Sequence, residues 1–121
     1  MIFYEELSDQ IYECVAEIYK ILGYGFPEKI YEKALISELT KRNIQVEAQK
    51  QLEVYYKDEL LGTYFADLVV ENKIIIELKT TKYIIDENYS QLLSYLKATG
   101  FKLGLLINFG PRKFMFRRLA N

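Results

Sequence analysis

Two short apolar runs set the limits on what this chain can fold into. Leu103-Gly104-Leu105-Leu106-Ile107 is apolar at every position before Asn108 ends it, the pattern of a strand covered on both faces. A strand of that kind belongs inside a sheet with helices packed on either side. Ile74-Ile75-Ile76 opens a second run, and neither approaches the roughly 20 residues that cross a bilayer. With 121 residues, half of them apolar and 18 of them Tyr or Phe, the chain has the size and composition of one packed domain over residues 1–121.

The elements around those runs follow from periodicity. Leu7, Ile11, Cys14, Val15, Ile18, Ile21 and Leu22 recur at three- and four-residue steps with acids between them, an amphipathic helix that stops at Gly23. Pro27 opens a second helix over about residues 27–42, with Glu28, Tyr31, Leu35 and Leu39 on one stripe and Asn43 at its end. From Val46 the period changes to two, predicting a strand to about Lys57-Asp58-Glu59, another over 61–70 and a third over 74–79 after the polar turn Glu71-Asn72-Lys73. These three form an antiparallel meander. Leu92, Leu93 and Leu96 with Tyr89 and Tyr95 predict a third helix over 87–99, ended by Gly100. The Leu103–Asn108 strand and a last one carrying Phe114 and Phe116 complete the order α-α-β-β-β-α-β-β, an α/β fold with a central mixed sheet flanked by helices.

Composition then narrows the chemistry. The chain has no histidine, so a Ser-His-Asp triad, a Cys-His pair, a His-ligated zinc and a His base are all excluded. Cys14 is alone, which rules out an internal disulfide and a cysteine-built zinc site, and suits a small apolar helix residue. Catalysis must therefore rest on Asp, Glu, Lys, Tyr or Ser, or on a metal held by oxygen. The opening Met-Ile-Phe-Tyr-Glu-Glu lacks the basic and apolar regions of a leader, so a cytoplasmic protein without membrane association is expected. The net charge of -1 is unevenly spread: after Glu87 come Lys97, Lys102, Arg112, Lys113, Arg117 and Arg118 with no acid among them. Such a basic end either supplies phosphate contacts or is an ordinary solvated surface, and charge alone does not choose between these.

Within Ile74–Lys79, alternation places Ile75, Glu77 and Lys79 on one face and Ile74, Ile76 and Leu78 on the other. Two charges thus interrupt an apolar strand, and in a central strand each needs a partner or a metal to offset desolvation. Asp67 interrupts the preceding strand in the same way, and the turn at Glu71-Asn72-Lys73 brings Asp67 and Glu77 to the same level of the sheet. Two close carboxylates repel unless a cation lies between them. Mg²⁺ suits the position, taking one or two carboxylates and keeping waters and phosphate oxygens. Lys79 would then face the reacting phosphate. The bland alternative is a cross-strand salt bridge on a solvated face.

Asp67 followed by Glu77-Leu78-Lys79 resembles the D and E-x-K elements of the PD-(D/E)XK nuclease superfamily, whose core is α-β-β-β-α-β. Gly25-Phe26-Pro27-Glu28-Lys29-Ile30-Tyr31 is similar to the motif that names the GxxExxY family within it. Gln91-Leu92-Leu93-Ser94-Tyr95 is similar to the Q-x-x-x-Y helix of RecB-like nucleases, and Tyr95–Gly100 to the GxxExxY family's own ending of that helix. The resemblance runs from about Leu7 to Leu119. It implies a restriction-endonuclease-like core and a Mg²⁺- or Mn²⁺-dependent nuclease acting on nucleic acid, DNA in preference to RNA. Asp67 and Glu77 would be metal ligands with the Leu78 carbonyl as a third, Lys79 the catalytic lysine, and Glu28 a further acid whose bland role is stabilising a helix N-terminus. Gln91 and Tyr95, one helical turn apart, would orient substrate, and Arg117 and Arg118 would grip its backbone. Phe65 stands where relatives often carry arginine, and no histidine precedes Gln91. The rival reading is a catalytically silent nucleic-acid- or protein-binding module on the same fold. A domain of this size would work as a homodimer or beside a larger partner.

Overall fold

A computed structural model describes residues 3–121. Its elements run α1 (Glu5–Leu22), α2 (Glu28–Lys41), β1 (Val46–Tyr56), β2 (Glu59–Val70), β3 (Ile74–Lys79), α3 (Asp86–Thr99), β4 (Leu103–Phe109) and β5 (Phe114–Ala120), in the order the periodicities predict. The five strands form one sheet in chain order β1-β2-β3-β4-β5. All neighbouring pairs are antiparallel except β3 and β4, which run parallel because α3 carries the chain back between them. The fold is therefore a mixed five-stranded α/β sheet with three helices, consistent with a restriction-endonuclease-like core.

The sheet separates two cores. On one face α1 and α2 bury Ile11, Val15, Leu35 and Leu39 against Ile74, Ile76, Leu78, Leu105 and Ile107. On the other, α3 lays Leu92 and Leu96 over Val69, Ile75 and Leu106. β4 is buried along its whole length, as its unbroken apolar run requires. Gly104 lies where α3 crosses, and a Cβ there would sit 3.1 Å from the Leu92 side chain, so glycine sets how closely the helix approaches. Gly100 ends α3 at φ 80, a left-handed conformation, with its N–H bonded to the Leu96 carbonyl.

One local departure from regularity shapes the molecule. The β1–β2 ladder pairs Ala48 with Leu68 and Lys50 with Ala66, stepping over Gln49 in one strand and Asp67 in the other. Gln49 has φ 50, a left-handed conformation costly for a residue with a Cβ. At this point the alternation of faces inverts. Leu68 and Val70 belong to the α1–α2 core, whereas Ala66 and Tyr64, two and four residues earlier, belong to the α3 core. β1 changes in the same way, from Val46 on the first face to Leu52 and Val54 on the second. The hairpin thus turns over and leaves β3, whose pairing with β2 ends at Leu68–Ile76.

Candidate active site

The gap opened by that inversion is where the charged residues meet. Past Ile76, β3 continues through Glu77, Leu78 and Lys79 with β4 on one edge and no ladder to β2 on the other. Asp67 fills the missing pairing with its side chain, Oδ2 accepting the Leu78 N–H at 2.8 Å. In a strand the carbonyl of a residue points to the same edge as its N–H, so the Leu78 carbonyl faces the same gap. Continuing the register by one step sets Asp67 opposite Glu77, as the sequence predicts.

Glu77 and Lys79 share the α3 face and line a cavity of about 210 Å³ with Tyr64, Gln91 and Tyr95. The Tyr64 hydroxyl donates to the Glu77 carboxylate. Tyr64 is held in turn by Tyr95, the two rings stacked 3.5 Å apart and 7° from parallel. Gln91 stands exposed at the mouth of the cavity. Its neighbour one turn on, Tyr95, therefore supports the tyrosine that orients Glu77.

Glu28 arrives from α2, behind the sheet. It is half-buried, and Asp67 and Lys79 both act on its charge. Its position one residue after Pro27 would suit a helix-terminal carboxylate, but α2 turns it toward Asp67. Tyr31, the last residue of the Gly25–Tyr31 motif, has a structural task. It is fully buried, stacks on Phe109 at 4.2 Å and donates to the Gly23 carbonyl at 2.5 Å, fixing the loop from which Glu28 springs.

Two residues that periodicity did not single out complete the group. Glu32, one helical turn after Glu28, is 5% exposed, with Lys29 at 3.4 Å. The Gln49 amide donates to Glu32 at 3.2 Å and reaches Asp67 at 3.5 Å, so the left-handed residue bridges the two acids. Glu32 lies in the α2 stripe between Glu28 and Leu35, a spacing that could have revealed it.

Burial raises the pKa of Glu28, Asp67 and Glu77 alike. For Glu77 it is pushed up to about 7, with the Glu28 and Glu32 charges adding to desolvation while the Asp67 N–H and the Lys79 ammonium pull the other way. Lys79 is the cation common to all three. Among the described residues none of the three is in an ion pair, and no group of three or more Asp, Glu or Cys side chains is arranged to hold a metal ion. That donor set fits a hard ion that keeps several waters, such as Mg²⁺, better than Ca²⁺ with its six to eight oxygens. If an ion binds here, Asp67, Glu77 and the Leu78 carbonyl would be its donors.

The two arginines expected to act together are separated, because consecutive strand residues face opposite ways. Arg117 pairs with Leu106, which pairs with Glu77, so all three lie in one row on the α3 face. Arg118 pairs with Leu105 on the α1 side and donates to the Phe3 carbonyl at 2.6 Å. Phe65 is 54% exposed.

No curated protein matches the chain in sequence. Among solved structures, that of the protein SSO0001 has a TM-score of 0.60 at 22% identity over 98% of this chain, which spans only 60% of that protein's length. An alkaline exonuclease from Laribacter hongkongensis has a TM-score of 0.56 at 10% identity over 100% of this chain and 72% of its own. At such identities the likeness is one of fold. The family model of the PD-(D/E)XK nucleases, by contrast, matches residues 5–119 and so takes in Asp67, Glu77 and Lys79. With nearly the whole length matched, this chain belongs to the PD-(D/E)XK nuclease superfamily.

Proposed function

We propose that the chain is a single-domain, divalent-metal-dependent nuclease that hydrolyses phosphodiester bonds, of DNA in preference to RNA, with Mg²⁺ or Mn²⁺. The observation that carries this reading is the convergence of Glu28, Asp67 and Glu77, each made harder to ionise by burial, around Lys79, with Glu32 beside them and Lys29 acting on Glu28. Two ammoniums do not offset four carboxylates, and a divalent ion would reduce the excess. The Gly25–Tyr31 motif further supports membership of the GxxExxY family, and a cytoplasmic setting remains the expectation from the sequence.

In this reading Asp67, Glu77 and the Leu78 carbonyl would hold the ion, which when bound would supply Lewis acidity toward a phosphoryl oxygen. Lys79 stabilises negative charge that develops on the phosphate during attack. Tyr64, braced by Tyr95, fixes the Glu77 carboxylate, and Glu28 adds negative charge from behind the sheet. Gln91 at the cavity mouth and Arg117 on the same face contact the substrate backbone. Tyr55, Tyr56, Leu60 and Leu61, exposed toward the tip of the β1–β2 hairpin, are a surface for a second copy or a larger partner.

Calorimetry with Mg²⁺ and Mn²⁺, run beside cleavage of single-stranded, duplex and branched DNA and of RNA, tests the reading. Asp67→Ala and Glu77→Ala should each abolish ion binding and cleavage together. If the wild-type chain cuts nothing and these variants bind the ions as well as it does, the silent binding module takes the place of the nuclease.

A further inference from the structure

A second cleft opens beside Lys79, on the far side of the segment that joins β3 to α3. It encloses about 420 Å³ and is lined by Lys82, Tyr83, Asn108, Arg112, Lys113 and Met115, with no acid on its walls. Its position relative to the site is fixed by register. Lys79 pairs with Asn108 and Asn108 with Met115, so the three form one row on the α3 face, and Met115 lies about 10 Å from Lys79 at two strand widths.

The wall between the two clefts is tied down by side-chain hydrogen bonds. Asn108 is 2% exposed, and its amide holds Thr81 twice, Oδ1 accepting the Thr81 N–H and Nδ2 donating to the Thr81 carbonyl, each at 2.9 Å. Gly110 makes room for this clamp, since a Cβ there would lie 3.3 Å from Asn108 Nδ2. The residues just after Lys79 are thereby locked, and Lys82 and Tyr83 emerge from a fixed point.

The lining has the composition of a surface for an unpaired strand. Among the described residues Lys82, Arg112 and Lys113 enter no ion pair. Tyr83 is 70% exposed, with the Lys82 ammonium 5.6 Å from its ring centre. Cations that track phosphates, combined with an exposed aromatic face, are how single strands are held without regard to sequence. A duplex keeps its bases stacked on each other and has none to offer Tyr83.

We propose that this cleft is a subsite for a single-stranded nucleic-acid segment flanking the bond at Lys79, with Lys82, Arg112 and Lys113 on its phosphates and Tyr83 stacked on a base. The inference rests on the nuclease reading and adds that the preferred substrate is unpaired, or carries an unpaired flank.

Fluorescence anisotropy in chelator, where nothing is cut, tests binding separately from catalysis. The probes are a labelled oligo-dT, an oligo-rU of equal length and a blunt DNA duplex, each titrated over a range of salt. Wild-type protein should bind either single strand at least tenfold more tightly than the duplex. Tyr83→Ala should weaken single-strand binding about fivefold to tenfold and leave duplex binding unchanged, while Tyr83→Phe keeps it. Lys82→Ala with Arg112→Ala and Lys113→Ala should flatten the single-strand salt slope by about 2, at roughly 0.7 per phosphate contact. Equal affinity for the duplex, or a Tyr83→Ala protein that binds single strands as wild type does, overturns the subsite. Strand binding that depends on Tyr83 in a protein that never cuts would instead leave the subsite standing and remove the nuclease.

Discussion

Ile76 and Glu77 are neighbours in one strand and belong to two different kinds of surface. Ile76 points into the α1–α2 core, among the buried apolar side chains Leu68, Val70, Ile74, Leu78, Leu105 and Ile107. Glu77 points to the α3 face, beside a cavity, with a tyrosine for its hydrogen-bond partner and the α2 acids Glu28 and Glu32 acting on it from across the sheet. The first face contributes stability. The second gives some of it up, since a carboxylate pushed up to about 7 is held in a place that disfavours its charge. One strand thus carries the core on one side and the proposed site on the other, and substitutions should separate the two.

The largest effect expected from breaking this division lies on the apolar side. Ile76→Ala should destabilise the chain by about 2–5 kcal/mol, because Ile76 is fully buried and its removal leaves a cavity. The part of the protein that stays folded should bind divalent ions with unchanged affinity. Denaturant unfolding with calorimetry at low temperature checks both, and a fall in ion affinity of the folded fraction would mean that the two faces are coupled. On the charged side Lys79→Ala should do the reverse. Cleavage should fall about 10²-fold or more, the order of a lost charge-stabilising donor. Ion binding should hold or tighten, because the ammonium now competes for the same carboxylates.

A smaller effect is set by pH. In the unfolded chain Glu77 ionises near its ordinary 4.5, and in the fold near 7. Between these values the folded state holds the extra proton, so stability falls as pH rises and levels off above 7. Glu77→Gln should therefore remove the Glu77 share of that slope, leaving the smaller part due to Glu28 and Asp67, and stabilise the ion-free protein by about 1–3 kcal/mol at pH 8, with little gain at pH 4. Affinity for Mg²⁺ should move the opposite way in the wild-type chain, rising with pH through about 7 as the ligand loses its proton. Thermal melts in chelator across pH 4–9 decide it, and a wild-type slope of the opposite sign would show Glu77 ionised throughout.

Regular alternation was enough to read most of this from the sequence. The eight elements, the buried β4 run and the shared face of Glu77 and Lys79 follow from periods of two and 3.6 residues that hold without interruption. What escaped lies where the period fails. Counting back from the Lys57-Asp58 turn, where Tyr56 pairs with Glu59, sets Gln49 against Ala66. The irregularity at Val54/Tyr55 moves the register by one and brings Gln49 level with Asp67. That shift sets which residue faces Asp67, and the inversion of faces at Gln49 and Asp67 sets where Tyr64 points, so neither the Gln49 bridge nor the place of Tyr64 on the Glu77 face could be read from uninterrupted alternation. Arg117 and Arg118 show the opposite case: they look like a pair as letters, and the same alternation, applied to β5, parts them.

The smallest predicted effect tests whether the inversion that separates the two faces is a backbone matter or depends on the Gln49 side chain. Gln49 pays for φ 50 with a conformation worth roughly 1 kcal/mol of strain in a residue with a Cβ. In return its amide donates to buried Glu32 and reaches Asp67. Gln49→Ala keeps the strain and loses the amide, so stability should drop by about 1 kcal/mol. The Gln49 contact also lowers the Asp67 pKa, and without it and the orientation it gives the carboxylate, ion affinity should fall, more so at lower pH. Gln49→Gly loses the same amide but adopts the left-handed conformation freely. It should recover most of the stability and none of the affinity. If instead the glycine variant binds ions as wild type does, the bridge to Glu32 and Asp67 has no part in the site, and the turn of the hairpin alone positions Asp67 through its bond to the Leu78 N–H.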